Sequence, residues 1–461
     1  MKRSTPILTG SASRPSHSPL LRKNILVGGI LFAISQAASA NMGNSPSTYG
    51  ILPHDIATAQ ALSLFNSQTS ATYYNPAALA NDSLSELTTG LFHADHELRA
   101  KSLGGTAPLN RNGDIVDNTP SQQILLGLKT DLSDLTTFKH PLYLGFMLGT
   151  EKYGQEMLSF SAETSEEGQF LQYDREPLML SIGFGTKLWR GVNLGAAMRI
   201  TLHSDADLYT TTDLQGNTSN ERLNVAAKPV FRPIVGLNMN VGETFCSSQK
   251  CWLDNLDFAL AHRAYSNARV QVNAEAEIPG TVTNPGLILA ITAYDAFQPA
   301  ITTLGARYQF GALGVGITGE YQQWSRLTRE LQEDTVQDQG NLKFNDIFIP
   351  RVGIEYNLTE NFTLKTGAAF EESPLENTTS PDVNYLDTDR LVVGLGFSVV
   401  AHRLPDHLFM ASPVQFDFGY QYHSLAERDF DLSNSSSSTP YETVRASGDV
   451  HVFVGSFTMK F

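Results

Sequence analysis

Few residues of this chain have the types and spacing that covalent chemistry requires. Its two cysteines, Cys246 and Cys251, flank SSQK and could form a disulfide across a turn or contribute to a metal site. A structural metal site needs a second Cys or His pair, and none accompanies CSSQKC. The histidines are scattered with no nucleophile motif beside them, whereas a hydrolase needs a nucleophile and a base within reach of each other. We therefore expect a disulfide, no metal, no cofactor and no enzymatic activity.

The strongest chemical signal is apolar. The stretch PGLILAITAYDAF, residues 285–297, is strongly apolar, although the other predicted loops are polar. Exposed apolar patches usually mark binding surfaces. Two interpretations are open: a loop that captures hydrophobic molecules, or a loop helix that packs inward as a lid. The candidate substrate-binding residues are Leu287, Ile288, Ile291, Tyr294 and Phe297.

A second group of candidates consists of charged residues on the polar faces of alternating segments. They are Arg199, Glu320, Arg351, Glu355, Lys365, Glu371 and Asp417. Such residues could form ion pairs that brace a neighbouring segment inside a hydrated interior. Alternatively, a cation such as Arg351 or Lys365 could bind the carboxylate of a substrate, and the sequence does not choose between the two.

Strands must position these side chains, because the dominant pattern from about residue 83 has a period of two. In VQFDFGYQYH, residues 414–423, apolar and aromatic residues alternate with polar ones. Such runs reach about twelve residues, which suits a tilted strand crossing a membrane and is about twice the usual strand length. The predicted strands are 84–101, 121–131, 141–152, 176–189, 192–204, 229–242, 255–270, 297–309, 312–325, 346–357, 361–372, 389–401, 413–427 and 448–461. The count is even, as in bacterial single-chain barrels, and long polar loops such as 326–345 and 428–447 alternate with tight turns.

The residues that precede these strands have a different composition. Residues 1–40 contain a basic front, the apolar run ILVGGILFAI and the small residues Ala38-Ser39-Ala40, which together are typical of a signal peptide. The apolar run is shorter than the roughly twenty residues of a membrane-spanning helix. The whole chain has a net charge of −15 and this leader is basic, so the remainder is more acidic still. We therefore expect export, and no nucleic acid as a partner.

Residues 41–82 do not alternate. DIATAQALSLF, residues 55–65, predicts a short helix, and Asn75-Pro76 in TYYNPAALAND is a turn or helix-start signal. A barrel of about fourteen strands is too wide for its own side chains to fill, so a plug would suit it. On pattern alone, a plug and an ordinary turn that leads into the first strand are both possible.

The order of these features resembles the FadL/TodX-type outer-membrane transporters of long-chain fatty acids and aromatic hydrocarbons. YNPAALA, residues 74–80, is similar to the Asn-Pro-Ala motif of their plug, with Ala78 where the family commonly has glycine. The remaining similar segments are LMLSIGFGTKLWRGVNLGAAMRI at 178–200, EYQQWSRL at 320–327, FEESPLENTTSPDVNYLDTDRLVVGLGFSV at 370–399 and VHVFVGSFTMKF at 450–461.

The resemblance implies an all-β transmembrane antiparallel barrel in the outer membrane of a Gram-negative bacterium. Residues 41–82 would form a plug inside the lumen, with Tyr74, Asn75, Pro76 and Ala77 as its motif, and residues 83–461 would form the barrel. The implied function is uptake of fatty acids or hydrocarbons by capture on loops, a pocket beside the plug and sideways exit into membrane lipid. We expect a monomer. The alternative is a structural, adhesive or conjugation-associated barrel without a transport role.

Overall fold

The computed structural model describes most of the chain after residue 48. The described ranges are 49–105, 120–135, 137, 139–152, 178–212, 218–246, 251–277, 287–332, 342–381, 386–402, 413–433 and 442–461. The predicted signal peptide and residues 41–48 of the predicted plug lie outside these ranges. Among the described residues, no helix is long and apolar enough to cross a membrane.

The alternating segments form one sheet that closes on itself. The strands in the described ranges are β1 (Glu86–Gly104), β2 (Ser121–Asp131), β3 (Leu142–Lys152), β4 (Leu178–Trp189), β5 (Val192–Thr212), β6 (Thr218–Asn240), β7 (Leu256–Arg263), β8 (Ser266–Glu277), β9 (Leu287–Gln298), β10 (Ala300–Phe310), β11 (Leu313–Gln323), β12 (Ile347–Thr359), β13 (Phe362–Glu371), β14 (Thr379–Pro381), β15 (Arg390–Ala401), β16 (Val414–Ser433) and β17 (Glu442–Lys460). All except β8, β9 and β14 form the wall, and β1 pairs with both β2 and β17. The predicted antiparallel barrel of fourteen strands is confirmed. Closure leaves no free edge in the wall.

The two faces of the wall follow the period of two in the sequence. On β12, Phe348 and Val352 are exposed on the outside, whereas Ile349 and Arg351 between them are buried on the inside. The same alternation continues on β11, where Ile317 is 62% exposed and Thr318 is buried. An outer face of exposed apolar side chains fits hydrocarbon, while polar and small residues are kept for the interior.

The helices are short. Those in the described ranges are α1 (Pro53–Ala57), α2 (Ala71–Tyr74), α3 (Val241–Phe245) and α4 (Ser325–Gln332), with 3-10 helices at Ser63–Phe65, Pro76–Asn81, Ser133–Leu135 and Trp252–Asn255. The predicted helix over 55–65 is wrong beyond Ala57, because Ala59 and Gln60 have positive φ angles of 48° and 64°. This left-handed turn, which interrupts the helix, is stabilised by hydrogen bonds from the wall to the carbonyls of Ala59 and Ala61.

One rim of the barrel contains the tight turns, the start of the first strand and the end of the last strand. Gly191 and Gly311 adopt positive φ angles of 67° and 60° in the turns that follow β4 and β10. Ser85 and Phe461 exchange two backbone hydrogen bonds of 3.0 and 2.9 Å at this rim. The β6–β7 connection is also here, and within it Cys246 and Cys251 form a disulfide.

The other rim extends further than the sequence predicts. β5 runs to Thr212 and β6 begins at Thr218, while β16 and β17 occupy most of the predicted loop 428–447. The predicted strand 255–270 ends at Arg263. Residues 287–297 of the apolar stretch form neither a loop nor a helix but most of β9. β8 and β9 pair as a hairpin, and β8 also lies parallel to β5. Backbone hydrogen bonds between neighbouring strands do not depend on side-chain polarity, so pairing continues through polar sequence.

We expect a charge on the outer face to destabilise the barrel. Ile317→Lys places an ammonium in the middle of β11, where the cost in a bilayer is about 2–4 kcal/mol. Leu135→Lys is the matched control, because Leu135 is 82% exposed in a connection outside the strands. Urea unfolding in lipid vesicles, followed by the electrophoretic shift of the folded barrel, measures both variants. Equal stability of the two would contradict the assignment of the outer face.

Candidate functional site

The site begins with the residues enclosed by the wall. From Tyr49 to Ala80 every residue except Ser67 is buried, and we call residues 49–82 the inner segment. It meets the wall at a belt of inward-facing glycines on twelve strands, with two glycines on each of β4 and β15. These glycines are Gly90, Gly127, Gly145, Gly183, Gly185, Gly195, Gly236, Gly305, Gly316, Gly353, Gly367, Gly394, Gly396 and Gly419. A Cβ built on any of them would lie within 4 Å of an inner-segment atom.

Two glycines show why the belt must be made of residues without side chains. A Cβ on Gly195 would overlap the backbone nitrogen of Ala77 and the carbonyl carbon of Pro76. A Cβ on Gly236 would overlap the side-chain oxygen of Asn75. The backbone of the inner segment therefore lies directly on the backbone of β5 and β6, which only glycine permits.

Asn75 anchors the inner segment at this contact. Its side-chain oxygen accepts a hydrogen bond from the backbone N–H of Ala77 at 3.2 Å, which caps the 3-10 helix that begins at Pro76. Its amide nitrogen donates to the carbonyl of Leu64 at 2.9 Å and to the side-chain oxygen of Asn238 on β6. One buried side chain thus joins two parts of the inner segment to the wall.

Aromatic rings beside Asn75 contact buried arginines of the wall. Tyr73 and Tyr74 pack edge to face with ring centroids 5.1 Å apart. The Arg263 guanidinium lies 4.9 Å from the Tyr73 ring and 5.6 Å from the Tyr74 ring, and that of Arg199 lies 5.2 Å from Tyr73. Such cation–π contacts gain strength when desolvated. The structure thus brings the predicted motif residues together, and with them the predicted inner charge Arg199.

The other predicted inner charges form ion pairs along the wall. Arg263 contacts Glu320 at 2.5 Å, Arg351 contacts both Glu320 at 3.7 Å and Glu371 at 2.8 Å, and Arg390 contacts Glu371 at 2.8 Å. Because buried charges are costly unless they are paired, this chain of ion pairs stabilises the charges inside the barrel.

The remaining predicted charges reach the inner segment as well. Asp417 lies 3.7 Å from the ammonium of Lys365 and accepts a hydrogen bond of 3.4 Å from Gln68. Glu355 lies 4.0 Å from the ring of His54. The charges are therefore placed where they can brace the inner segment against β12, β13 and β16.

The inner segment is strained at one turn. Left-handed backbone costs a non-glycine residue roughly 1–2 kcal/mol, and Ala59 and Gln60 both adopt it. Arg351 donates to the carbonyl of Ala59 at 3.1 Å, and the Thr318 hydroxyl donates to the carbonyl of Ala61 at 2.6 Å. Contacts with the wall thus hold a conformation that the segment does not favour by itself.

On the side of the long connections, the interior contains a large group of apolar side chains. One connected cluster of buried side chains joins the wall, the inner segment and the connections, and we call it the apolar cluster. Its large members are Tyr49, Ile56, Phe92, Leu98, Phe297, Trp324, Leu327, Leu342, Phe344, Ile347, Ile349, Leu375, Leu386, Val392, Leu425, Phe430, Val444, Val450, Val452 and Val454.

The predicted capture residues divide into two groups. Phe297 is 1% exposed and belongs to the apolar cluster, where its ring lies 5.6 Å from that of Trp324. Leu287, Ile288, Ile291 and Tyr294 lie on the backbone of β9, outside the wall, and their side chains are outside the described part of the chain. The structure therefore places one predicted residue at the lumen and the others on the hairpin that leads to it.

Two aspartates and a serine stabilise the loop between β13 and β15, which includes Ser373 and Asp389 of the segment that resembles the family. Ser373 donates from its backbone N–H to Asp389 and from its hydroxyl to Asp387, both at 2.8 Å. These bonds fold the loop inward, so that Leu375 and Leu386 enter the apolar cluster. Burial raises the pKa of the Asp387 carboxyl, and the nearby Arg390 guanidinium opposes that rise.

Several residues of the site are not indicated by the sequence alone. Trp324 and Phe344 lie in the cluster although their segments read as a strand end and a polar loop. Arg232 and Arg263 are buried and make inner-wall contacts, yet a period of two does not separate them from solvated residues. The one sequence feature that indicates an inner position for these two arginines is their alternation with apolar neighbours in FRPIVG and ALAHRAY.

Known proteins similar to this chain agree with its architecture. A family model described as outer membrane protein transport protein (OMPP1/FadL/TodX) matches residues 251–461. The chain is 47% identical over 444 residues to alkane uptake protein A of Marinobacter nauticus. The matched residues are 95% of this chain and 96% of that protein.

Two solved structures also resemble it. A Pseudomonas aeruginosa FadL homologue is similar with a TM-score of 0.60 and 16% identity, over 92% of this chain and 98% of that one. The Pseudomonas putida toluene transporter TodX is similar with a TM-score of 0.52 and 12% identity, over 90% of this chain and 99% of that one. At such low identity these two structures support the fold alone.

We expect a single methyl group in the glycine belt to displace the inner segment. Gly195→Ala places a Cβ where the backbone of Pro76 and Ala77 lies, so the segment must shift and the barrel should leak ions. Gly455→Ala is the matched control, because a Cβ there has nothing within 4 Å. Conductance in planar bilayers measures the leak, and a closed Gly195→Ala barrel would contradict the packing described.

Relief of the strained turn should stabilise the inner segment. Gln60→Gly removes a penalty of about 1 kcal/mol, so hydrogen exchange of residues 55–65 should slow about fivefold. Ala61→Gly, one residue later and outside the left-handed region, should speed that exchange because glycine there only adds backbone freedom. Exchange measured by mass spectrometry on the folded protein distinguishes the two, and the same change in both variants would refute the strain.

Proposed function

Because this chain belongs to the OMPP1/FadL/TodX family of outer-membrane transport proteins, we propose that it takes up hydrophobic compounds, with alkanes as its substrate class. The observation that carries the substrate class is the 47% identity, over nearly the whole of both chains, to a protein named for alkane uptake. The apolar cluster supports it, because its members are aliphatic and aromatic side chains that match a ligand without polar groups.

The pairing of the inner charges also favours a neutral substrate. Arg351 contacts both Glu320 and Glu371, and Lys365 contacts Asp417. A fatty-acid carboxylate would have to compete with these carboxylates for the same cations. A hydrocarbon makes no such demand, so the ion pairs can stay intact while it passes.

The path that we propose has three stages. A hydrocarbon gains about 0.8 kcal/mol for each CH₂ removed from water, so it moves best between apolar surfaces rather than through a hydrated pore. The β8–β9 hairpin captures it outside, and Phe297 leads from that hairpin into the apolar cluster. The hydrocarbon then leaves sideways through the wall into membrane lipid.

The inner segment acts as the plug of this path. It blocks the lumen through contacts with the glycine belt. Its strained turn favours a rearranged state once the hydrogen bonds from Arg351 and Thr318 break. Movement of residues 49–82 then controls passage beside it. Residues 1–40 direct export and are removed, and the mature protein works as a monomer.

Growth of a deletion strain tests the function. Loss of the gene should abolish growth on a long-chain n-alkane as sole carbon source and leave growth on succinate unchanged. A parallel culture on oleate separates alkane from fatty-acid uptake. Complementation with the intact gene is the control. Normal growth of the deletion strain on the alkane and on oleate would favour a structural or adhesive barrel instead.

Charge on the hairpin tests the capture stage. Leu287→Asp together with Ile291→Asp should weaken uptake of a radiolabelled n-alkane by cells, because a captured hydrocarbon would have to contact carboxylates. Leu103→Asp together with Leu135→Asp is the matched control, because both leucines are exposed outside the hairpin, and it should leave uptake near the wild-type rate. The electrophoretic shift of the folded barrel verifies that both variants assemble. Unchanged uptake by the hairpin variant would exclude β9 from the path.

A further inference from the structure

The root of the β8–β9 hairpin lies between two neighbouring strands of the wall. β7 ends at Arg263 and β10 begins at Ala300, and these two strands pair with each other along the barrel. The hairpin therefore leaves the wall and returns to it at adjacent points. We call residues 264–265 and 297–299 the hairpin root.

One guanidinium spans both sides of this root. Arg232, on β6 and 1% exposed, donates from Nε to the carbonyl of Ala264 at 2.7 Å. It also donates from Nη1 to the side chain of Gln298 at 2.6 Å and from Nη2 to the carbonyl of Pro299 at 2.7 Å. All three nitrogens of the guanidinium donate hydrogen bonds, and each of the three acceptors is neutral. A rigid planar fork fixes the relative positions of its acceptors in a way that a flexible ammonium does not.

A second set of contacts holds the root from the opposite side. The Tyr265 ring lies 5.5 Å from Phe297, and its hydroxyl donates to Glu330 of α4 at 2.6 Å. The Arg326 guanidinium of α4 lies over the same ring at 3.4 Å from its centroid. The root is therefore clamped between β6 and α4, and through Phe297 it is continuous with the apolar cluster.

The direction of the hairpin depends on this clamp. Beyond the root, β8 runs parallel to β5 from Ala206↔Val272 to Thr211↔Glu277. That pairing orients the far part of the hairpin, while Arg232 bonds to residues on both sides of the root from which the hairpin leaves the wall. The three nitrogens of Arg232 donate to acceptors within the protein. Its geometry therefore suits a structural joint, meaning a residue that fixes the position of the hairpin root, rather than a cation that binds substrate.

We propose that Arg232 is a positioning residue that fixes the hairpin root and thereby sets the substrate concentration at which uptake is half-maximal. The inference rests on the proposed function, because the concentration dependence has meaning only if the hairpin captures substrate. Loosening of the root leaves the path through the lumen intact but lowers the fraction of barrels whose hairpin leads into the apolar cluster. The half-saturating concentration then rises while the maximal rate stays the same.

The test compares two Arg→Lys variants. Arg232→Lys keeps the charge and loses the fork, so amide exchange in residues 266–298 should rise about tenfold while exchange in β11 is unchanged. The half-saturating concentration for uptake of radiolabelled n-hexadecane by cells should rise about tenfold at an unchanged maximal rate. Arg445→Lys is the control, since Arg445 makes a bidentate contact with Asp429 on the outside of β16 and β17, away from the hairpin. That variant should match the wild type in both measurements.

Each outcome decides the proposal. Unchanged hairpin exchange in Arg232→Lys overturns the joint, and raised exchange with unchanged half-saturation overturns its role in capture. A fall in the maximal rate alone also overturns it, because it would place Arg232 in the lumen path. Failure of the wild type to take up hexadecane refutes the proposed function and also overturns the role in capture, while the exchange comparison still decides the joint. Should Arg232→Lys not fold, Gln298→Ala removes one of the three acceptors and is read in the same way.

Discussion

The close approach of two backbones is the constraint on which the rest of the structure depends. A wall of fourteen strands encloses more space than its own side chains can fill. The inner segment fills that space, and it fits because glycines on most strands present bare backbone to it. Asn75 then needs only its own side chain to join the segment to β6 and to cap the helix at Pro76. Packing of this kind is tight, and it leaves the polar groups of the segment within reach of the wall.

The interior is divided into two regions with different chemistry. Around the inner segment, arginines, glutamates and hydroxyls satisfy backbone carbonyls and one another, so charge is present but engaged. Towards the long connections, aromatic and aliphatic side chains meet in one cluster. A hydrocarbon that enters would find its largest apolar surface in the second region, because the apolar clusters of the first region are smaller and lie beside ion pairs. This division fits a family of transport proteins whose relatives include one named for alkane uptake.

The sequence predicts the wall well and the interior less well. Strand number and the direction of each side chain follow from a period of two, so residues such as Arg351 and Asp417 could be assigned to the inner face before any partner was known. Their partners depend on which strands are neighbours and on their register, which no local pattern contains. The helix predicted over 55–65 breaks at Ala59 because hydrogen bonds from distant strands outweigh its local preference. Residues 287–297 form a strand because β8 offers them a backbone partner, which their apolar composition alone does not indicate.

The pairing of β1 with β17 restricts the order in which the molecule can assemble. The inner segment precedes β1 in the chain, yet it ends up surrounded by strands that all follow it. Once the seam between the earliest and latest strands has formed, residues 49–82 can reach the interior only through a rim. A segment that already lies within the curl of the growing sheet avoids that passage. Pairing of the last strand with the first then encloses the segment in the finished cylinder.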